Sequence, residues 1–198
     1  MNRFIYQYIF AFIFIVWIFI SYTPYDEFYA NLLRICGVFL VVLGIIGRIY
    51  ATIFIGGMKN EGVDGSKFID YGAYSLCRNP LYFFSFLAFL GLLAIKAQLI
   101  LILIGAVFFL IVYHQTIKQE EKFLSSKFGQ SYLEFLEKTA RFFPRLTNFY
   151  CPDRIEVRPE FLHRELKRAL NWAIGLFALC IIELLHYYFY LPNLFFLY

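Results

Sequence analysis

Charged residues are scarce in this sequence of 198 residues: Asp, Glu, Lys and Arg together make up 16%, whereas soluble domains carry about a quarter. Apolar residues reach 61%, and 26 of the residues are phenylalanine. A water-soluble domain of this length could not bury so much apolar surface. The composition therefore indicates a protein that is integrated into a lipid membrane.

Close pairs of cysteines are also missing, which argues against a disulfide framework and against a cysteine zinc site. The sequence has no internal repeat and no low-complexity tract, and we expect no metal site. The four cysteines are Cys36, Cys77, Cys151 and Cys180.

The formal net charge is +4. The basic residues are concentrated on one side of the membrane, so membrane topology accounts for this charge and no nucleic-acid partner is needed.

Five apolar runs predict an all-α, polytopic membrane protein with about five transmembrane helices. A span needs roughly 20 apolar residues, and the third and fourth runs are shorter, so they approach this length only with helical extensions into the flanking polar residues. No small-x-small cleavage site follows the first run, so we expect a retained signal anchor rather than a signal peptide. Only three residues separate the third run from the fourth, which predicts a tight helical hairpin. The runs are Phe4–Ile20, Ile35–Ile55, Leu81–Ile95, Leu99–Tyr113 and Asn171–Leu191.

The polar part that follows the hairpin predicts three further helical segments. Residues 117–126 continue the second hairpin helix, Gly129 ends it, and residues 131–138 form a short amphipathic helix. Residues 149–158 are expected to form a loop, after which Pro159 suits a first helical turn. Basic and apolar residues alternate from 160 to 170, a pattern typical of a helix in the lipid headgroup plane.

Lysine and arginine predict the orientation, because basic loops stay in the cytoplasm. Under a five-helix count, the N-terminus, the loop 56–80 and the region 118–168 carry most of the basic residues and lie on one side. Only Arg34 and Lys96 lie towards the other side. The N-terminus and these loops are therefore predicted to be cytoplasmic and the C-terminus to lie outside. The usage of Phe, Ile and Lys hints at a bacterial inner membrane.

Both ends of the predicted hairpin fall on the cytoplasmic side, where they bring two polar clusters together. Residues 78–82 at its entrance would face Glu120 and Glu121 at its exit. Each piece also has an ordinary explanation: Pro80 could start a helix, Arg78 could bind a lipid phosphate, and the two glutamates could form a solvated helix face.

The order and spacing of these motifs resemble the isoprenylcysteine carboxyl methyltransferase and phospholipid methyltransferase superfamily. The match runs from about Gly44 to Arg145, so we divide the chain into N-terminal membrane helices (1–43), a methyltransferase core (44–145), and an amphipathic segment with a last transmembrane helix (146–198). The matching elements are Gly72-Ala73-Tyr74, Arg78-Asn79-Pro80-Leu81-Tyr82, Glu120-Glu121, Phe128-Gly129-Gln130-Ser131-Tyr132 and Arg141-Phe142-Phe143-Pro144.

The resemblance implies an S-adenosylmethionine-dependent methyltransferase with a cofactor pocket in its cytoplasmic loops and a lipid-like methyl acceptor. The residues that would line the cofactor cavity are Tyr74, Asn79 and the backbone around Pro80. The residues that would hold the cofactor's ammonium and ribose groups are Glu120 and Glu121. The residues that would shape the reactive end, and so take the catalytic part, are Arg78, Tyr82 and Arg141.

Asn79 departs from the histidine that many relatives have at this position, and asparagine cannot act as a general base. Methyl transfer to a carboxylate or phosphate oxygen needs no base, whereas transfer to an amine does. Asn79 therefore favours an anionic oxygen acceptor, although a phospholipid amine stays open if Glu120 or Glu121 serves as the base. The sequence does not determine an oligomeric state.

Two alternatives to methyl transfer stay open. Membrane enone and sterol reductases, which use NADPH, resemble the superfamily around the Asn-Pro-x-Tyr segment but are usually longer. A non-enzymatic membrane scaffold would also accommodate Asn79.

Three charged positions lie inside the apolar runs. Glu183 and His186 are one helical turn apart, and Arg34 is the expected partner of Glu183 in a structural pair. Arg48 is expected to extend its side chain towards the membrane surface.

Overall fold

The computed structural model describes residues 3–55, 68–155 and 157–197. Within these ranges the chain forms seven α-helices, one 3₁₀ turn and a pair of two-residue strands. The first part of the predicted loop 56–80, residues 56–67, lies outside the described residues. The elements are α1 (Arg3–Ile20), β1 (Ser21–Tyr22), α2 (Glu27–Ile55), α3 (Ala73–Leu76), α4 (Pro80–Ala94), α5 (Leu99–Phe128), α6 (Gln130–Lys138), the 3₁₀ turn (Leu146–Asn148), α7 (Pro159–Tyr187) and β2 (Phe195–Phe196).

Three of the described helices, α2, α5 and α7, are long and apolar enough to cross a membrane. Helix α4 and the part of α1 from Ala11 to Ile20 are shorter apolar helices. The described chain is thus mainly helical, with five apolar helices and almost no strand. This confirms the predicted all-α class of a polytopic membrane protein.

The predicted tight hairpin is formed by α4 and α5, which a turn of four residues joins. A Cβ atom on Gly105 of α5 would overlap the side chain of Leu93 in α4, so glycine permits the close approach of the two helices. The rings of Phe89 and Phe109 pack across the pair with their centroids 5.7 Å apart. The second helix continues through its charged end to Phe128, as the sequence predicted.

Helix α7 differs from the sequence prediction of an amphipathic segment followed by a separate membrane helix. It runs without interruption from Pro159 to Tyr187. No glycine or proline occurs between Glu160 and Asn171, and such residues are the usual helix breakers. The polar segment and the apolar segment therefore form one continuous helix.

The first of two compact units contains Met1–Val42, Ala88–Val112 and Trp172–Tyr198. Its buried apolar core includes Ile18, Ile95 and Leu179. The predicted contact between Arg34 and Glu183 is present as an ion pair at 2.8 Å. In the same unit β1 pairs with β2 in parallel.

The second compact unit contains Leu43–Leu87 and Tyr113–Asn171. Its core cluster is formed by Ala51, Phe54, Ala73 and Tyr74. A Cβ atom on Gly47 of α2 would overlap the ring of Phe84 in α4, so glycine permits the close approach of these two helices. All the predicted site residues lie in this second unit.

Candidate functional site

Backbone hydrogen bonds join the loop before α4 to the segment that follows α6. The Arg78 N–H donates to the carbonyl of Ala140 at 2.8 Å, and the Arg145 N–H donates to the carbonyl of Leu76 at 2.9 Å. Gly72, which precedes α3 at a φ of 59°, donates its N–H to the carbonyl of Tyr150 at 2.7 Å. The Arg-Asn-Pro and Arg-Phe-x-Pro motifs therefore lie side by side.

Asn79 strengthens this junction through its side chain. Its amide nitrogen Nδ2 donates to the carbonyl of Arg141 at 2.9 Å, and the residue is buried. Its carbonyl accepts hydrogen bonds from the N–H groups of Tyr82 and Phe83, while Pro80 is the first residue of α4, a position that suits proline. Asn79 and Pro80 thus fix the start of the hairpin next to Arg141.

Glu121 at the exit of the hairpin is held by two guanidinium groups. Arg78 Nη1 lies 2.9 Å from Glu121 Oε1, and Arg141 donates to both carboxylate oxygens, at 2.8 Å and 3.2 Å. Glu121 and Arg78 are mostly buried, whereas the Arg141 side chain is 44% exposed. Charge-assisted, forked hydrogen bonds of this kind are among the strong ones.

Glu120 points to a different partner, so the two adjacent carboxylates do not act as one acidic pair. The Tyr82 hydroxyl donates to Glu120 Oε1 at 2.6 Å, and the Tyr82 ring packs on Tyr113 with centroids 4.9 Å apart. Entrance and exit of the hairpin therefore meet through two separate contacts. One is an ion-pair network at Glu121 and the other is a phenol–carboxylate bond at Glu120.

Two buried donors in this unit have no hydrogen-bond partner among the described residues: the Tyr74 hydroxyl and Arg78 Nε. Burial is the main cause that raises the pKa of the Tyr74 phenol, with the nearby Cys77 thiol second, so this group stays protonated. Burial also lowers the pKa of Arg78, against the opposing effect of Glu121. An unsatisfied buried donor costs about 1–3 kcal/mol, which makes both atoms candidates for contact with a ligand.

Tyr132 belongs to the same neighbourhood, although the sequence interpretation quoted it only as part of a motif. Burial, followed by the nearby Glu121 carboxylate, raises its pKa to about 12, while Arg78 acts in the opposite direction. The phenol is therefore protonated at neutral pH beside the Glu121 network. The spacing of Phe128-Gly129-Gln130-Ser131-Tyr132 was the signal that could have included it.

Arg48, whose side chain the sequence predicted to extend towards the membrane surface, pairs with Glu165. Its guanidinium donates to both oxygens of Glu165, at 2.6 Å and 3.0 Å, and it also bonds the hydroxyl of Ser85 and the carbonyl of Leu81. Glu165 is buried. The signal available in the sequence was that Glu165 is the one acidic residue in the basic stretch 163–168.

An open cleft of about 700 Å³ lies in the same unit, within the size range of small-molecule sites. The carboxylates of Asp70 and Glu134 and the aromatic rings of Phe68 and Tyr150 line it. Ser75, the neighbour of Tyr74 in the chain, belongs to the same lining. Among the described residues no group of three or more His, Cys, Asp or Glu side chains could hold a metal ion.

Fold and site together define a helical membrane protein that carries a charge-balanced polar site in its loops and helix ends. The phospholipid methyltransferase family model matches residues 28–131, more than half of the chain. The chain belongs to this family of membrane methyltransferases. The resemblance seen in the sequence motifs is thereby confirmed.

Two relatives are metal-resistance proteins. The cobalt-zinc-cadmium resistance protein CzcN of Cupriavidus metallidurans is 32% identical over 145 residues, which are 73% of this chain and 64% of CzcN. The nickel-cobalt-cadmium resistance protein NccN of Alcaligenes xylosoxydans xylosoxydans is 28% identical over 151 residues, 76% of this chain and 68% of NccN. The chain thus spans less than two-thirds of the length of CzcN. No solved structure matches the chain significantly.

Proposed function

We propose that this chain is an S-adenosylmethionine-dependent methyltransferase that acts on a lipid or lipid-anchored acceptor. The observation that carries the proposal is the arrangement around the ends of the hairpin. Arg78 and Arg141 hold Glu121, Tyr82 bonds Glu120, and two buried donors have no partner among the described residues. Membership of the phospholipid methyltransferase family supplies the reaction class.

The residues present fit the cofactor. The Tyr74 hydroxyl is a buried donor suited to the cofactor's acceptor atoms, and Arg78 Nε is a buried donor suited to an anionic methyl acceptor beside it. The carboxylate of Glu120 suits a ligand that carries an ammonium and a sulfonium group, because charge-assisted contacts are strong. When bound, the cofactor would supply an activated methyl group on its sulfonium.

The chain's own residues would position the reactants. We assign cofactor binding to Tyr74, Asn79, Pro80, Glu120 and Glu121. For Asn79 and Pro80 this role follows from the way in which they fix the start of α4 beside Arg141. Methyl transfer by in-line displacement depends mainly on such positioning.

The acceptor end is assigned to Arg78, Tyr82 and Arg141. Arg141 is the most exposed of the three residues that form the Glu121 network, so its guanidinium is the group that can turn towards an anionic acceptor. An acceptor oxygen that is already anionic needs no base, and Asn79 could not provide one. If the acceptor is a phospholipid amine, Glu120 is the candidate base.

The proposed setting is the inner membrane of a bacterium, with the site and the N-terminus facing the cytoplasm. The basic loops support this orientation through the positive-inside rule. The competing functions are those of an NADPH-dependent reductase and of a membrane scaffold. A single ligand-binding experiment distinguishes these two functions from methyl transfer.

The test is calorimetric titration of S-adenosylmethionine and, separately, NADPH into the detergent-purified chain. We expect micromolar affinity for S-adenosylmethionine and at least about a tenfold loss of it in Glu120→Gln, which corresponds to roughly 1.4 kcal/mol. Glu160→Gln, the same change at an exposed position in the first turn of α7, is the matched control. Binding of NADPH alone would move the chain to the reductases, and binding of neither ligand would favour the scaffold.

A further inference from the structure

A second cavity lies in the first compact unit, which contains none of the predicted site residues. Its volume is about 350 Å³, which suits a small polar headgroup. Residues of α2 and of the C-terminal part of α7 form most of its wall. Those that matter for its chemistry are Tyr25, Glu27, Asn31, Arg34, Cys180 and Glu183.

The deep side of this cavity carries an excess of positive charge. Glu183 is shared by Arg34, at 2.8 Å, and by Lys96, at 2.5 Å. Lys96 is fully buried, and its ammonium also donates to the carbonyls of Ile18 and Ser21. Two cations therefore share a single carboxylate, and the carboxylate of Glu27 in the same lining balances the remaining positive charge, so the cavity as a whole suits a ligand without net charge.

Arg34 is the cation that reaches the cavity. Its side chain is 23% exposed, whereas Lys96 is completely covered. Asn31 lies one turn earlier on α2 and accepts a hydrogen bond from Arg34. A guanidinium with an amide beside it suits a phosphate group, which guanidinium recognises by charge-assisted hydrogen bonds.

The rim of the cavity carries the opposite charge. Glu27 lies seven residues before Arg34 in α2, so both fall on the same face about 10 Å apart along the helix axis. The Tyr187 hydroxyl donates to Glu27 at 3.0 Å. A carboxylate at the rim and a guanidinium below it match a zwitterion in which an ammonium stands a short distance from a phosphate.

The surroundings of the cavity favour a lipid as the source of this headgroup. Tyr22, Tyr25 and Tyr187 line it, and exposed aromatic residues continue past the end of α7 as Tyr188, Phe189 and Tyr190. Tyrosine is enriched where membrane helices meet the headgroup layer. Exposed apolar residues such as Leu184 at the wall would accompany acyl chains.

We propose that this cavity binds the headgroup of a zwitterionic aminophospholipid, with its phosphate at Arg34 and its ammonium at Glu27. The site is separate from the proposed methyltransferase site, and each can fail without the other.

Occupancy of the cavity can be measured through Cys180, which lines it. A Cys36→Ala/Cys151→Ala background removes the other two exposed cysteines and leaves Cys77, which is buried. We expect dioleoylphosphatidylethanolamine, added to the purified chain in micelles, to slow maleimide alkylation of Cys180. The rate should be about fivefold lower than with dioleoylphosphatidylglycerol, as expected from one partly exposed charge pair.

Glu27→Gln should abolish this difference between the two lipids, whereas Glu160→Gln, the same change outside the cavity, should preserve it. Thermal melting of each variant checks that the chain stays folded. Equal alkylation rates with both lipids, or a preference that survives in Glu27→Gln, would overturn the proposal. Equal protection by soluble glycerophosphoethanolamine at the same concentration would overturn the assignment to a lipid.

Discussion

Each compact unit holds a glutamate between two cations, and the two arrangements differ in their access to water. In the second unit Arg78 and Arg141 bind Glu121 at 2.9 Å and 2.8 Å. In the first unit Arg34 and Lys96 bind Glu183 at 2.8 Å and 2.5 Å. The contacts are similar in length and in charge, so the surroundings must determine what each network does.

The surroundings differ most between Lys96 in the first unit and Arg141 in the second unit. Lys96 is fully covered, whereas 44% of the Arg141 side chain is exposed. A buried ion pair is costly to break, because the charge that is left behind has no water to solvate it. A partly exposed arginine can leave its carboxylate at a smaller cost and bind a ligand instead. We therefore expect the Glu183 network to stabilise the fold and the Glu121 network to exchange its partners for a ligand.

The largest expected effect is that of Glu183→Gln. It leaves Lys96 buried without a counter-charge, and breaking a buried pair typically costs about 3–5 kcal/mol. We expect a large drop in the melting temperature of the detergent-purified chain and a loss of folded protein in size-exclusion chromatography. Glu160→Gln should melt like the original chain. If Glu183→Gln melts normally and loses only activity, the assignment to fold stability is wrong.

Glu121→Gln should destabilise the chain less and impair ligand binding more. A hydrogen bond to a charged group contributes about 1.5–3 kcal/mol, and the exposed Arg141 can recover part of this through water. We expect a moderate drop in melting temperature together with at least a tenfold weaker binding of S-adenosylmethionine, about 1.4 kcal/mol. Glu137→Gln, at an exposed position of α6, is the control. A variant that binds the cofactor normally would remove Glu121 from the proposed site.

The sequence predicted the helices well and the charge pairing only in part. The hairpin, the charged continuation of α5 and the restart after Gly129 could be predicted because they depend on local apolar runs and on a helix-ending glycine. The pairing of Arg34 with Glu183 could be expected because Glu183 lies inside an apolar run and Arg34 directly precedes another. The pairing of Arg48 with Glu165 could not, because it depends on the rotation of two helices whose residues are 117 positions apart.

The sequence analysis predicted that Glu120 and Glu121 would hold the cofactor together, whereas in the structure the two glutamates have different partners. Neighbouring residues on a helix point in directions about 100° apart, so adjacent carboxylates rarely serve one ligand atom. Which of the two faces Arg78 depends on how α5 is rotated, and the sequence does not specify this rotation.

Tyr74→Phe should leave the stability of the chain unchanged or raise it slightly, whereas the two glutamate substitutions lower it. The Tyr74 hydroxyl is buried without a partner among the described residues, and removal of such a group relieves a desolvation cost. We expect an unchanged or slightly higher melting temperature, together with S-adenosylmethionine affinity about fivefold lower, a loss of about 1 kcal/mol. Tyr8→Phe, at an exposed phenol of α1, is the control. Unchanged affinity would show that the phenol does not contact the cofactor.

Tyr132→Phe should have the smallest effect of these substitutions on the melting temperature at neutral pH. Its effect should become measurable only in alkaline solution. Burial raises the pKa of the Tyr132 phenol from 10.0 to about 12, so the folded chain holds this proton more tightly than the unfolded chain does. The contribution to stability is complete below pH 10 and is lost as the pH rises towards about 12. Melting temperatures measured from pH 8 to pH 11 should therefore fall more steeply for the original chain than for Tyr132→Phe. Parallel curves would mean that the phenol ionises equally well in the folded and unfolded chains, and would place Tyr132 away from the Glu121 carboxylate.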